Sequence, residues 1–291
     1  MLGAIAGDII GSVFERGLST GEAIKTKNFD LFSAQSKFTD DTVLSVAVAD
    51  VLLHKNPKQE NPRQENPRQE NPSSMPKAFH FSHSIKRYAQ TYPDAGYGKN
   101  FNTWAASDTL EPYNSWGNGS AMRVSPVGFA YNDMGTVRKV ARQTAEVTHN
   151  HPEGIKGAEA TAAMVLLARE FKNKTLIKTA IESTFGYDLS RTLEHIRPHY
   201  KFDVSCQGSV PEAMIAFLES TDFEDAIRNA ISLGGDTDTM ACIAGAIAEA
   251  FYGGVPDAIA HETLNRLAPP LRKVTLNFCN QYTQPYTLQT A

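Results

Sequence analysis

Two short stretches of this 291-residue chain gather more oxygen than a helix start needs. Thr39-Asp40-Asp41-Thr42 stands ahead of the apolar run Thr42–Leu53, and Asp236-Thr237-Asp238-Thr239 stands ahead of a second run, Thr239–Tyr252. Each can be read as N-capping, in which a side-chain oxygen accepts an orphan backbone N–H and the carboxylates complement the helix dipole. A cap uses one oxygen, however. Each motif brings two carboxylates and two hydroxyls to the head of a helix apolar enough to lie inside the protein. Carboxylates clustered away from water repel one another unless cations neutralise them. Four aspartates carry the charge that two divalent ions balance, and an all-oxygen donor set selects hard ions, Mg²⁺ or Mn²⁺, over zinc or copper.

A third acidic element opens the chain. In GAIAGDIIGSVFE, Gly3, Gly7 and Gly11 recur every four residues and leave a smooth helix face on which another backbone can lie. Glycine costs about 1 kcal/mol per helix position relative to alanine, so three at this spacing call for a packing or ligand reason. Asp8 and Glu15 are seven apart and are expected on one face of that helix, two turns from each other. Glu15 reads equally well as a solvated glutamate.

Two polar segments lie between these acidic elements. Asn114-Ser115-Trp116-Gly117-Asn118-Gly119-Ser120-Ala121-Met122-Arg123 offers backbone N–H groups and small polar side chains, a combination that can cradle phosphate oxygens, although a surface turn is the commoner reading of a Gly-Asn-Gly. Thr148-His149-Asn150-His151 reads as polar contacts or as the cap of the helix that follows, with metal ligation as the alternative.

The elements that must position these residues are mostly helical. Besides the two runs above, Ala158–Phe171, Leu176–Thr184, Pro211–Leu218 and Phe223–Leu233 show apolar residues at three- and four-residue spacing, and Gly253-Gly254 followed by Pro256 stops the last run. The expected architecture is a single mostly α domain spanning residues 1–291. Within it, residues 54–77 carry the repeat NPKQE-NPRQE-NPRQE-NP. A proline every five residues and nothing apolar to bury mark a solvated, flexible insertion there.

Composition narrows the function classes. A net charge of −4 and a pI near 6.1 leave no basic field to collect nucleic acid. No stretch approaches the roughly 18 apolar residues of a membrane span, and the apolar N-terminal stretch is interrupted by Asp8, unlike a secretion signal. Cys206, Cys242 and Cys279 are far apart, which suits a reduced, cytoplasmic setting.

GDIIGSVFE, FTDDT (Phe38–Thr42), SWGNGSAMR (Ser115–Arg123), Thr148-His149 and LGGDTDT (Leu233–Thr239), in that order, resemble the ADP-ribosylglycohydrolase family, the group that contains the dinitrogenase reductase-activating glycohydrolases. The resemblance covers about residues 1–255. It implies an all-α fold with a central cleft holding two Mg²⁺ or Mn²⁺ ions. Carried over motif by motif, the metal ligands are Thr39, Asp40, Asp41, Asp236, Asp238 and Thr239, with Glu15 beside them as candidate catalytic acid/base and Asp40 and Asp238 sharing in catalysis. It further implies that Ser115, Trp116, Gly117, Asn118, Gly119, Ser120 and Met122 hold the pyrophosphate and ribose and that His149 touches the substrate.

The implied reaction is hydrolysis of the bond between ADP-ribose and an arginine or serine side chain or a small conjugate, carried out by a monomer. Two other readings compete with it. A two-metal phosphoesterase or nucleotide hydrolase would use the same carboxylates, and a non-catalytic ADP-ribose binder would use the same cleft.

Overall fold

The expected helices form, and several begin earlier than their apolar runs because a polar cap precedes them. The structure, a computed structural model, describes residues 1–15, 23–55 and 76–286. Among them the helices run α1 (Leu2–Gly11), α2 (Asp40–Lys55), α3 (Ala78–Thr91), α4 (Lys99–Ala106), α5 (Gly119–Met122), α6 (Ser125–Ala130), α7 (Met134–Glu146), α8 (Pro152–Glu170), α9 (Lys174–Phe185), α10 (Leu193–Ile196), α11 (Cys206–Leu218), α12 (Phe223–Ile231), α13 (Thr237–Tyr252), α14 (Asp257–Arg266) and α15 (Pro269–Tyr282). The fold is all-helical, and extended pairing among the described residues is limited to one antiparallel bridge, Gly117 to Ser205.

Caps explain the early starts. His151 accepts from the Glu153 amide (3.1 Å) and lets α8 begin at Pro152, six residues before the expected Ala158. Ser205 accepts from the Gly208 amide (3.1 Å), so α11 begins at Cys206 and Pro211 lies inside it rather than at its start. At α9 the side chain of Asn173 caps the Leu176 amide, and Gly186 closes the helix in the left-handed region at φ 68°.

The glycine stripe of α1 seats it directly on α13, which in turn packs against α8, α11 and α12. A Cβ on Gly3 would lie 2.3 Å from the Gly245 carbonyl oxygen, one on Gly7 2.0 Å from that of Ala241, and one on Gly11 2.6 Å from the Asp238 Cα. The two backbones are therefore in direct contact along the whole stripe. Every residue of α1 is buried, as is every residue of α13 from Thr237 to Ala250.

One expectation fails at the end of this contact. Glu15 does not continue the helix that carries Asp8, because α1 stops at Gly11. The Gly11 carbonyl, which a further turn would offer to the Glu15 amide, instead accepts from the Phe14 amide (2.9 Å) and from Thr237 Oγ1 (2.9 Å) at the head of α13. The chain turns there and reaches Glu15 by a short irregular path.

Of the proline-rich segment, residues 56–75 lie outside the described residues; α2 runs on through His54 to Lys55, and α3 starts at Ala78. The three cysteines are free and buried. No described helix is long and apolar enough to cross a membrane.

Candidate functional site

The ends of α1, α2 and α13 meet around Asp8. Its side chain is fully buried and accepts from the Thr39 amide (2.9 Å), Thr39 Oγ1 (2.6 Å), the Thr42 amide (3.1 Å) and Thr42 Oγ1. The cap at the head of α2 thus comes from α1, a different helix, and Asp40 and Asp41 are left to border a cavity of about 490 Å³. At the head of α13, Asp236 makes no side-chain cap either; its Oδ2 accepts from Asn118 Nδ2 (2.7 Å). Gly234 and Gly235, with φ of 71° and 79°, make the left-handed turn that delivers Asp236 to this position. Lys25 holds that turn by donating to the Leu233 and Tyr200 carbonyls (2.5 and 2.8 Å).

These carboxylates stand too close together to be ionised without help. Oxygens of Asp8, Asp41 and Asp238 lie within 4.8 Å of one another, as do those of Glu15, Asp236 and Asp238, so Asp238 belongs to both groups. Burial and the neighbouring charges of Asp8 and Asp236 push the Asp40 carboxyl up to about 8. Burial, then the charges around them, raise Asp41 and Asp238 well above the ordinary carboxylate range, and burial raises Asp8. Among the described residues Asp41 Oδ1 is buried with no hydrogen-bond partner, while its Oδ2 accepts from Thr239 Oγ1 (3.3 Å). Two adjoining clusters of hard oxygens, one holding an orphaned carboxylate oxygen, fit divalent cations and do not fit an empty apolar core.

The glycine segment forms the opposite wall. It is tied down by Asn118 N–H to the Val204 carbonyl (2.8 Å), Cys206 N–H to the Trp116 carbonyl (2.9 Å) and Ser115 N–H to the Thr148 carbonyl (3.3 Å). His149, 5% exposed, sets its ring against the turn: a Cβ on Gly119 would lie 3.1 Å from Nε2. Burial and the Arg123 charge hold the His149 imidazole well below the usual histidine range.

Of the residues singled out in the sequence, Glu15, Thr39, Asp40, Asp41, Asp236, Asp238, Thr239, Ser115, Gly117, Asn118, Gly119, Met122 and His149 border this one cavity. Trp116 and Ser120 do not. Trp116 is about half exposed beside the His151 ring (5.5 Å), and Ser120 Oγ donates to the Gly154 carbonyl (2.7 Å). His151 serves as a cap, away from the carboxylates.

Sequence reasoning placed Asp8 in a third acidic element but not among the metal ligands, included Arg123 in the glycine segment without giving it a site role, and did not name Tyr113 or Phe202 as cavity residues. A signal for Asp8 existed: it is the one charged side chain in the otherwise apolar LGAIAGDIIG, which leaves it nowhere to point but inward.

Comparison with known proteins identifies the family and the fold. The ADP-ribosylglycohydrolase family profile matches residues 1–287. ADP-ribosylhydrolase ARH3 of Gallus gallus is 28% identical over 87% of this chain and 84% of its own, and ADP-ribosylhydrolase ARH3 of Homo sapiens is 27% identical over the same shares. A solved structure described as an ADP-ribosylglycohydrolase-related protein complex superposes with a TM-score of 0.64 at 24% identity, covering 96% of each chain, and so shares the fold. With almost its whole length matched and the five motifs gathered around one acidic cavity, the chain belongs to the ADP-ribosylglycohydrolase family.

Proposed function

We propose that the protein is a metal-dependent hydrolase that cleaves the N- or O-glycosidic bond between ADP-ribose and an arginine or serine side chain, or a small conjugate, and releases free ADP-ribose. The observation that carries the reading is that Glu15, Asp40, Asp41, Asp236 and Asp238 border the same cavity as the Gly117–Gly119 turn and His149, with buried Asp8 in oxygen contact range of Asp41 and Asp238.

Hydrolysis breaks the bond from ribose C1 to the leaving nitrogen or oxygen and forms a bond from C1 to water, through an oxocarbenium-like state. Thr39, Asp40, Asp41, Asp236, Asp238 and Thr239 would hold two Mg²⁺ or Mn²⁺ ions, which supply positive charge that fixes ribose hydroxyls and acidifies water. Glu15, at the edge of the second carboxylate group, takes the proton from the attacking water and returns one to the leaving group. Ser115, Gly117, Asn118 and Gly119 hold the diphosphate and ribose, and Phe202, partly exposed, offers apolar surface at the rim. The enzyme acts as a monomer in a reducing cytoplasm, consistent with its three unpaired, buried cysteines.

The test is to incubate the protein and Mg²⁺ with arginine-, serine- and glutamate-linked ADP-ribosylated substrates while following free ADP-ribose. Release is expected from an arginine or serine linkage, lost with EDTA and restored by Mg²⁺ or Mn²⁺. Full turnover by metal-stripped protein would overturn the metal dependence. AMP as the product would instead identify a phosphoesterase, and ADP-ribose binding without turnover of any conjugate a binding protein.

A further inference from the structure

Behind the His149 ring lies a short chain of hydrogen bonds with only one consistent set of protons. Arg123 is fully buried, and its Nη2 donates to the Thr144 carbonyl (2.8 Å) and to Thr148 Oγ1 (2.8 Å). A guanidinium only donates, so Thr148 Oγ1 is the acceptor in that bond. The hydroxyl has a single hydrogen left, and its other neighbour is His149 Nδ1 at 2.7 Å. If Nδ1 carried a proton, two donors would converge on Thr148 Oγ1, and the hydroxyl hydrogen would be buried with no acceptor among the described residues. The hydroxyl therefore donates to a bare Nδ1.

We propose that Arg123 and Thr148 are positioning residues that fix the His149 proton on Nε2, so that the ring presents a neutral N–H donor to diphosphate oxygens held over the Gly117–Gly119 turn. This rests on the hydrolase reading only for the identity of the acceptor; the proton assignment stands on the hydrogen bonds alone. The geometry supplies the direction, since Nε2 is the ring atom nearest the turn. The opposite tautomer would turn a lone pair toward the phosphate oxygens and repel them. Arg123 makes a second contribution: its Nε and Nη1 have no hydrogen-bond partner among the described residues. Its charge is therefore only partly satisfied beside the cavity and favours an anionic ligand there.

The experiment uses full-length protein labelled with [¹⁵N]histidine in Mg²⁺ buffer. Long-range ¹H–¹⁵N correlation spectra identify which ring nitrogen bears the proton, and His149→Asn identifies the His149 signals. The expected wild-type pattern is Nε2–H. Thr148→Val, nearly isosteric, should abolish that preference and raise KM for an ADP-ribosylated substrate about tenfold while kcat changes less than about threefold, because a ground-state contact is lost. Thr148→Ser should restore both. An Nδ1–H pattern in the wild type, or a Thr148→Val protein with unaltered tautomer and KM, overturns the relay. An Nε2–H pattern with no ADP-ribose release from any conjugate would overturn the hydrolase reading and leave the relay standing, whereas release with an Nδ1–H ring would do the reverse.

Discussion

Asn118 donates from Nδ2 to Asp236 Oδ2 at 2.7 Å, joining the glycine turn to the acidic wall across the cavity. The same amide lies 3.2 Å from Ser209 Oγ on α11, so Asn118 is held from two sides. An amide that donates to a carboxylate beside a cation site fixes the orientation of that carboxylate.

Asn118→Ala removes this bond without changing the charge of the cluster. The expected effect is a fall in kcat/KM for ADP-ribose release of roughly 10–100-fold, recovered in part at high Mg²⁺ because the metal site has loosened. Asn118→Asp should be worse, since it adds a carboxylate where repulsion is already the governing cost. Rates measured across a Mg²⁺ titration check both, and an Asn118→Ala enzyme with wild-type rates would show that the bond orients nothing.

Asp238 is the residue common to the two carboxylate groups. Asp238→Asn should therefore impair both cation positions, where Asp41→Asn impairs one. Bound metal per chain, read by elemental analysis after dialysis against Mn²⁺, is expected to drop further in Asp238→Asn than in Asp41→Asn, with ADP-ribose release lost by at least about 10³-fold in the former. Equal stoichiometry in the two variants would contradict the shared role.

Much of the site was legible from the sequence because its carboxylates come in pairs at helix heads, where local spacing reveals them. Gly3, Gly7 and Gly11 likewise announced a close approach, and α13 supplies the partner. What stayed hidden depends on contacts between distant segments. Capping read as local at α2 is done by Asp8 from α1, and no periodicity records a bond across 31 residues. The end of α1 at Gly11 is set by Thr237 taking the Gly11 carbonyl, so Glu15 seemed to share the helix of Asp8 when it does not. The two histidines of Thr148–His151 were indistinguishable by type; only the fold makes His151 a cap and His149 a cavity residue.

Stability should depend on pH in a direction set by the raised carboxyl groups. From an ordinary value of 3.8, Asp41 is raised well above and Asp40 to about 8 in the folded protein without metal. A group raised on folding contributes stability that is complete below the unfolded value and is lost as pH rises through the folded one. In EDTA, wild-type protein should therefore lose thermal stability relative to Asp40→Asn between about pH 4 and about pH 8, by at least about 3 °C in Tm. Mg²⁺ should reverse the order at the upper end, since the cation replaces the proton as counter-charge. Parallel melting curves of the two proteins in EDTA would refute this.

Of the described glycines, Gly7 comes nearest to a neighbouring backbone, and it gives the last prediction. A Cβ on Gly7 would lie 2.0 Å from the Ala241 carbonyl oxygen and 2.3 Å from the carbonyl carbon, and neither can swing aside as a side chain would. Gly7→Ala must push α1 away from α13, at a cost of about 3 kcal/mol or more, the upper range for overpacking. The displacement has a second effect, because Asp8 follows Gly7 and Asp238 lies at the head of α13, so separating the helices pulls apart the group they form with Asp41. Urea unfolding with and without Mg²⁺ separates the two effects. Gly7→Ala is expected to unfold at lower urea in both conditions and to gain less from Mg²⁺ than the wild type. A variant that loses stability yet keeps the full Mg²⁺ increment would show that the helix contact supports the fold but does not set the spacing of the carboxylates.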